Sequence, residues 1–168
     1  MLPLYIDERL EEYEKEFKLW LKPKHDLDLS KYYDEIKQCP NPICMHVRRG
    51  DSLYEWKKIK QEQIIDFYIR EVNNFAKLNS ESKCFIFSDD LVWCKKNFDK
   101  VLFNCKIVFC DAFSRQQAIN EVFLMSKCKK FVTSYSQFAK LAYSLCEDKE
   151  KERVQLNLES KGISNSMF

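Results

Sequence analysis

Three clusters of polar side chains in this chain could do chemistry, and each follows a run of apolar residues. The first is His-Val-Arg-Arg-Gly-Asp, His46 to Asp51, at the end of the apolar run 43–47. Arginine presents planar, paired N–H donors that match phosphate oxygens, and it keeps its charge at any physiological pH. His46 and Arg48 alternate along an extended segment, which predicts that they point the same way. Arg49 stands beside them, Asp51 is placed to orient a guanidinium, and Gly50 permits a sharp turn. The second cluster is Phe-Ser-Asp-Asp, Phe87 to Asp90, and the third is Thr-Ser-Tyr-Ser-Gln, Thr133 to Gln137. Hydroxyls and backbone N–H groups at a helix start make a place for an anion.

Each cluster also has a plainer reading. Adjacent arginines are usually solvated surface charge, and a histidine beside a strand is usually structural. Ser88 or Asp89 can cap a following helix, and so can Ser134 or Ser136. The pair Asp89 and Asp90 would suit a metal in another setting. The glycine count narrows the choice. Among 168 residues there are two glycines, Gly50 and Gly162. A P-loop or a G-x-G-x-x-G turn needs several. A phosphate bound here must therefore be held by side chains and helix N-termini.

The elements that would position these clusters alternate along the chain. Apolar, strand-like runs fall at 43–47, 84–88, 106–110 and 130–133. Helical spacing of apolar residues falls between them, at 61–77, 91–99 and 115–127, and again at 136–147. This alternation predicts an α/β fold, a parallel sheet covered by helices on both faces. In such sheets ligands bind outside the carboxyl ends of the strands, where all three clusters stand. Upstream, 6–21 reads as an amphipathic helix ended by Pro23, and 30–38 as a second short helix. Residues 39–42 read as a turn. From Glu147 onward the chain reads as a solvated helix end and a frayed, charged or polar tail.

Composition limits the partners. The chain is 45% hydrophobic, with 28 Lys and Arg against 26 Asp and Glu, a net charge of +2. Such a balance gives no general pull toward nucleic acid or a membrane surface. No apolar stretch suits a transmembrane segment, and the N-terminus lacks the pattern of a secretory signal. Eight cysteines occur, with no C-x-x-C pair and only two histidines in the chain, which argues against zinc. They read as reduced, structural thiols of a cytoplasmic protein.

Taken in order, the motifs resemble those of the GT-B fucosyltransferase superfamily, closest to the alpha-1,2-fucosyltransferases of glycosyltransferase family 11. His46–Asp51 resembles their H-x-R-R-G-D, Phe85–Trp93 their F-I-F-S-D-D-x-x-W, and Leu124–Lys129 their L-M-S-x-C-K. The stretch from Thr133 to Tyr143 is more similar to the T-x-S-S-Q-x-x-x-x-A-Y pattern of alpha-1,6-fucosyltransferases, so the linkage stands between the two. The resemblance implies a Rossmann-like parallel sheet, the C-terminal donor-binding half of a GT-B fold, over residues 41–147. It leaves 1–40 as a helical remnant of the acceptor domain and 148–168 as a tail. It further implies transfer of fucose from GDP-fucose to a glycan acceptor with inversion, and no cofactor or metal. By the same resemblance Arg48 is the catalytic residue, binding the beta-phosphate. His46, Arg49, Asp51, Ser134 and Ser136 also bind the donor, with Gly50, Asp89, Asp90 and Thr133 in support. The guanine position falls near Asn120 or Glu121. About 40 residues before the first motif are too few for an acceptor domain. A partner chain supplying that domain, a fragmentary product, and an inactive donor-binding homologue all remain open, as does a plain protein-interaction module. A peripheral place at the inner face of a membrane is a variant of the cytoplasmic reading.

Overall fold

Five strands form one sheet, and every pairing in it is parallel. In this computed structural model the described residues are 29–50, 59–111 and 118–156. The expected helix at 6–21 lies outside them. The elements run α1 (Leu29–Gln38), β1 (Pro42–Val47), α2 (Gln61–Ala76), β2 (Lys83–Ser88), α3 (Leu91–Phe98), β3 (Lys106–Phe109), α4 (Ala118–Ser126), β4 (Lys130–Thr133), α5 (Gln137–Leu145) and β5 (Glu152–Gln155). The spatial order is β3-β2-β1-β4-β5. The chain thus builds outward from β1 in one direction, returns, and builds outward in the other. With crossovers of one hand, the helices of the two halves must fall on opposite faces.

Packing shows this division. Ile43, Met45 and Val47 of β1 join Ile64, Phe67, Tyr68 and Val72 of α2 and Cys94 and Phe98 of α3 in one core layer. Cys44 of β1 joins Phe85 and Phe87 of β2, Tyr32 and Ile36 of α1, Val122, Leu124 and Met125 of α4, and Ala142 and Leu145 of α5 in the other. Alternate β1 residues feed opposite layers, as a doubly covered strand requires. Helix α1 is part of this body: it covers the same face as α4, and Tyr33 stacks on Phe123 at 5.8 Å. The domain therefore reaches back to Leu29 rather than starting at 41.

The far end needs a correction too. Glu152–Gln155 is not a frayed tail but the fifth strand, in register with β4 from Lys130↔Glu152 to Thr133↔Gln155. Val154 and Leu156 are buried beneath α2. Just before the strand, Lys151 closes α5, its Nζ donating to the carbonyls of Tyr143, Ser144 and Cys146 at 3.0, 3.4 and 2.8 Å. Two inward apolar residues between charges are too weak an alternation to announce a strand. Charged residues are also what an edge strand carries. All eight cysteines are free, and seven are buried. Burial pushes the thiols of Cys44, Cys84, Cys110 and Cys128 up in pKa, which keeps them protonated and inert.

Candidate functional site

After β1 the chain turns to the α2 face, and after β4 to the α5 face. The divergence makes the carboxyl ends of these neighbouring strands the topological switch point of the sheet, the place where open α/β sheets bind ligands in a crevice. His46 and Thr133 are register partners at this point. The structure brings the sequence-predicted residues of all three clusters to this edge, apart from Asp51, which lies outside the described residues.

Asp89 organises the loop after β1. The N–H groups of Arg49 and Gly50 donate to its two oxygens at 2.8 Å each, and Arg48 Nη1 lies 3.2 Å from Oδ2. A Cβ on Gly50 would stand 2.7 Å from Oδ2. Besides the turn, then, Gly50 serves the close approach of a carboxylate to the backbone. Asp90, not Ser88 or Asp89, caps α3, accepting from the Trp93 N–H at 3.0 Å. Ser88 supports that cap: its Oγ accepts from the Asp90 N–H at 3.0 Å and donates to the Val47 carbonyl at 2.7 Å.

The two arginines diverge. The Arg48 side chain is 38% exposed beside Asp89. The Arg49 side chain is 16% exposed, with Nε 3.5 Å from Asp90 Oδ2 and its guanidinium 4.2 Å from the centre of the Trp93 ring. Trp93 and Asp90 belong to the α3 side of the sheet. Arg48 acts on the α4 side, where its charge is felt by His46 and Glu121. Trp93 is a partner the sequence reading missed, although it ends the Phe85–Trp93 block.

The loop after β4 is locked to this one. Ser134 Oγ accepts from the Arg48 N–H at 2.8 Å, and the Ser134 N–H donates to the His46 carbonyl at 3.1 Å. Ser134 is buried, so its hydroxyl latches the two loops together. Ser136 is the N-cap of α5, accepting from the Ala139 N–H at 3.3 Å. The Thr133 carbonyl accepts from Leu156 N–H at 2.8 Å, which ties β5 to the crevice.

Beneath Arg48 the floor is polar and incomplete. His46 is 3% exposed and Thr133 1%, yet His46 Nδ1 and Thr133 Oγ1 have no hydrogen-bond partner among the described residues. Buried polar atoms normally have one. Alternation along β1 holds: His46 turns toward the α5 face, its ring 6.1 Å from that of Phe138. Burial lowers its pKa to about 4, with Asp89 opposing and Arg48 assisting, so the ring is neutral. On the first turn of α4, Asn120 is buried and Glu121 half-buried. Burial raises the Glu121 carboxyl to about 7, Asp89 adds to the rise, and Arg48 opposes it. Only the fold revealed that environment. Among the described residues, no three or more His, Cys, Asp or Glu gather as a possible metal site.

The sheet is doubly wound, an α/β Rossmann-like arrangement, and the carboxyl edge of its central strands gathers Arg48, Ser134, the helix-capping Ser136 and two buried polar atoms with no hydrogen-bond partner among the described residues. Comparison with known proteins gives the family. The family model described as Glycosyl transferase family 11 matches residues 29–159, and the chain belongs to that family. The matched span includes α1 and β5. The chain is also 27% identical over 116 residues to an alpha-1,2-colitosyltransferase of Escherichia coli, covering 68% of this chain and 39% of the relative. No helix among the described residues is long and apolar enough to cross a membrane.

Proposed function

We propose that this chain is the donor-binding part of a GT-B fucosyltransferase-like enzyme that transfers fucose from GDP-fucose to a glycan acceptor. The transfer would proceed with inversion, without a metal, and most simply to an alpha-1,2 linkage. One observation carries this reading. The half-exposed Arg48 guanidinium, fixed by Asp89, shares its edge of the sheet with the start of α5 and with two buried polar atoms that have no partner among the described residues.

The roles follow from charge. Breaking the sugar–phosphate bond leaves negative charge on the diphosphate, and Arg48 is the group placed to stabilise it as it forms. The N-terminal end of α5, presented by Ser136, adds backbone N–H donors and a favourable dipole. Arg49 and Asp90 brace the loop, and Asp89 aims Arg48. His46, Thr133, Asn120 and Glu121 line the deeper end, where a guanine edge fits the chemistry. Its ring N–H and amino group are donors, and an ionised Glu121 offers acceptors to them.

The test is a calorimetric titration of the chain with GDP, with and without EDTA, followed by an assay for release of fucose from GDP-fucose. Saturable, EDTA-insensitive binding is expected. Absence of GDP binding overturns the reading, and dependence on Mg2+ or Mn2+ moves the protein away from this mechanism. A second reading has its own support, since the matched relative is aligned over only 39% of its length. In it the chain binds the nucleotide sugar, and the acceptor side is supplied by other polypeptide. Binding without transfer selects that reading. The relative's name also makes a colitosyl donor the natural competitor to assay beside fucose.

A further inference from the structure

Arg48 is rooted in the fold by a residue that the donor-site reading does not use. Tyr68 of α2 is fully buried, packed edge-on against Phe67 at 5.4 Å and Phe98 at 6.0 Å. Its hydroxyl reaches the carboxyl end of β1 and donates to the His46 carbonyl at 3.0 Å. The same carbonyl accepts the Ser134 N–H at 3.1 Å, and Ser134 Oγ accepts from the Arg48 N–H at 2.8 Å. The His46 carbonyl is thus a shared anchor: the Tyr68 hydroxyl and the Ser134 N–H both donate to it, and Ser134 in turn holds the Arg48 backbone.

The packing around this ring would suit phenylalanine equally well. A phenol in such a place costs free energy unless its hydroxyl is paired. Here it is paired at the point where β1 and β4 part: the register of that pair ends at His46↔Thr133. Beyond it the Arg48 N–H meets a hydroxyl rather than a strand carbonyl. We infer that Tyr68 is a positioning residue for Arg48: by holding the His46 carbonyl that Ser134 also grips, it fixes the backbone from which the phosphate-gripping guanidinium extends. This rests on the donor-site reading. A long side chain grips well only if its root is held, since a shift of about 1 Å in a binding group is costly.

The experiment compares GDP with guanosine, because the Arg48 backbone serves the phosphate end, whereas His46 at the guanine end is also anchored by its strand register with Phe87 and Thr133. In Tyr68→Phe, GDP affinity by calorimetry should fall about tenfold while guanosine affinity, from competition, stays within about twofold. Equal losses for both ligands would mean a merely structural hydroxyl and overturn the inference, as would no loss for either. Should Tyr68→Phe fail to fold, 3-fluorotyrosine at position 68 keeps the hydroxyl and the volume but changes its hydrogen-bond strength. A GDP-selective shift then supports the positioning role, and unchanged GDP affinity sinks it. If the parent chain does not bind GDP at all, the donor-site reading falls first and takes this inference with it. That outcome is distinct from any in which the parent binds and Tyr68→Phe behaves like the parent.

Discussion

Arg48 and Arg49 are adjacent in sequence and occupy opposite kinds of place. Arg49 is a strut: stacked on Trp93, paired with Asp90 and largely covered. Arg48 is a hand: more exposed, held at one edge by Asp89, and facing the side of the sheet where His46 and Glu121 respond to its charge. In the proposed site these two identical side chains divide support and binding between them, and what decides the division is the face of the sheet each reaches. The same contrast holds for the faces themselves. The α2/α3 layer closes on apolar side chains up to Val47 and Ile86. In the opposite layer His46 Nδ1 and Thr133 Oγ1, at the carboxyl edge, have no hydrogen-bond partner among the described residues.

The sharpest way to break this comparison is to truncate each arginine in turn. Arg48→Ala should cost GDP binding about 2–3 kcal/mol, roughly 30- to 150-fold, read by calorimetry, with Tm nearly unchanged. Gly50→Ala should come next. The new methyl would meet Asp89 Oδ2 at 2.7 Å, so the carboxylate must release its two N–H donors and Arg48 together. A loss of about 2 kcal/mol, shared between stability and GDP affinity, is expected. Unchanged affinity there would mean that Asp89 does not aim Arg48. Arg49→Ala should reverse the Arg48→Ala pattern. Loss of the stack and of a partly exposed ion pair should lower stability by about 1–2 kcal/mol, a few degrees in Tm, with GDP affinity within about threefold. If Arg49→Ala loses GDP affinity as completely as Arg48→Ala, the division of labour is wrong.

Much of the architecture was legible because the strong signals were local. Strands β1 to β4 and helices α1 to α5 fall where apolar runs and helical spacing place them, to within a few residues. The positions of the three clusters followed, since a parallel sheet collects its strand ends on one edge. Strand β5 was illegible because its evidence is two buried side chains, Val154 and Leu156, in a charged stretch, and its existence depends on pairing with β4. Within the crevice, residue types were legible and their partners were not. That Asp90 caps α3, that Ser134 latches the Arg48 backbone, and that Trp93 receives Arg49 are facts of distance between elements. Tyr68 falls within the helical spacing of apolar residues at 61–77. Nothing in its spacing distinguishes a phenol that carries a hydrogen bond from one that fills the core.

The smallest effect concerns the deep end of the crevice, where pH separates Glu121 from its surroundings. Its carboxyl titrates at about 7 in the fold against an ordinary 4.5, through burial first and the Asp89 charge second, with Arg48 opposing. A raised carboxyl means that the folded state holds the proton more tightly. The stability it contributes is complete below 4.5 and lost as pH rises through about 7. His46 works in the other direction. Its pKa is lowered from 6.5 to about 4, so its contribution is present above 6.5 and fades as the pH falls toward 4. Between about pH 8 and 6.5 the Glu121 effect therefore stands alone, and the ligand-free Tm should rise on acidification there. Guanine binding should have the opposite slope, because the ring N–H and amino donors need the ionised carboxylate. GDP affinity should climb about fivefold, near 1 kcal/mol, as the pH passes upward through 7. Glu121→Gln should flatten both profiles while leaving the Arg48→Ala loss intact. If the GDP profile keeps its slope in Glu121→Gln, another group titrates, and the deep end of the crevice is not where the base is read.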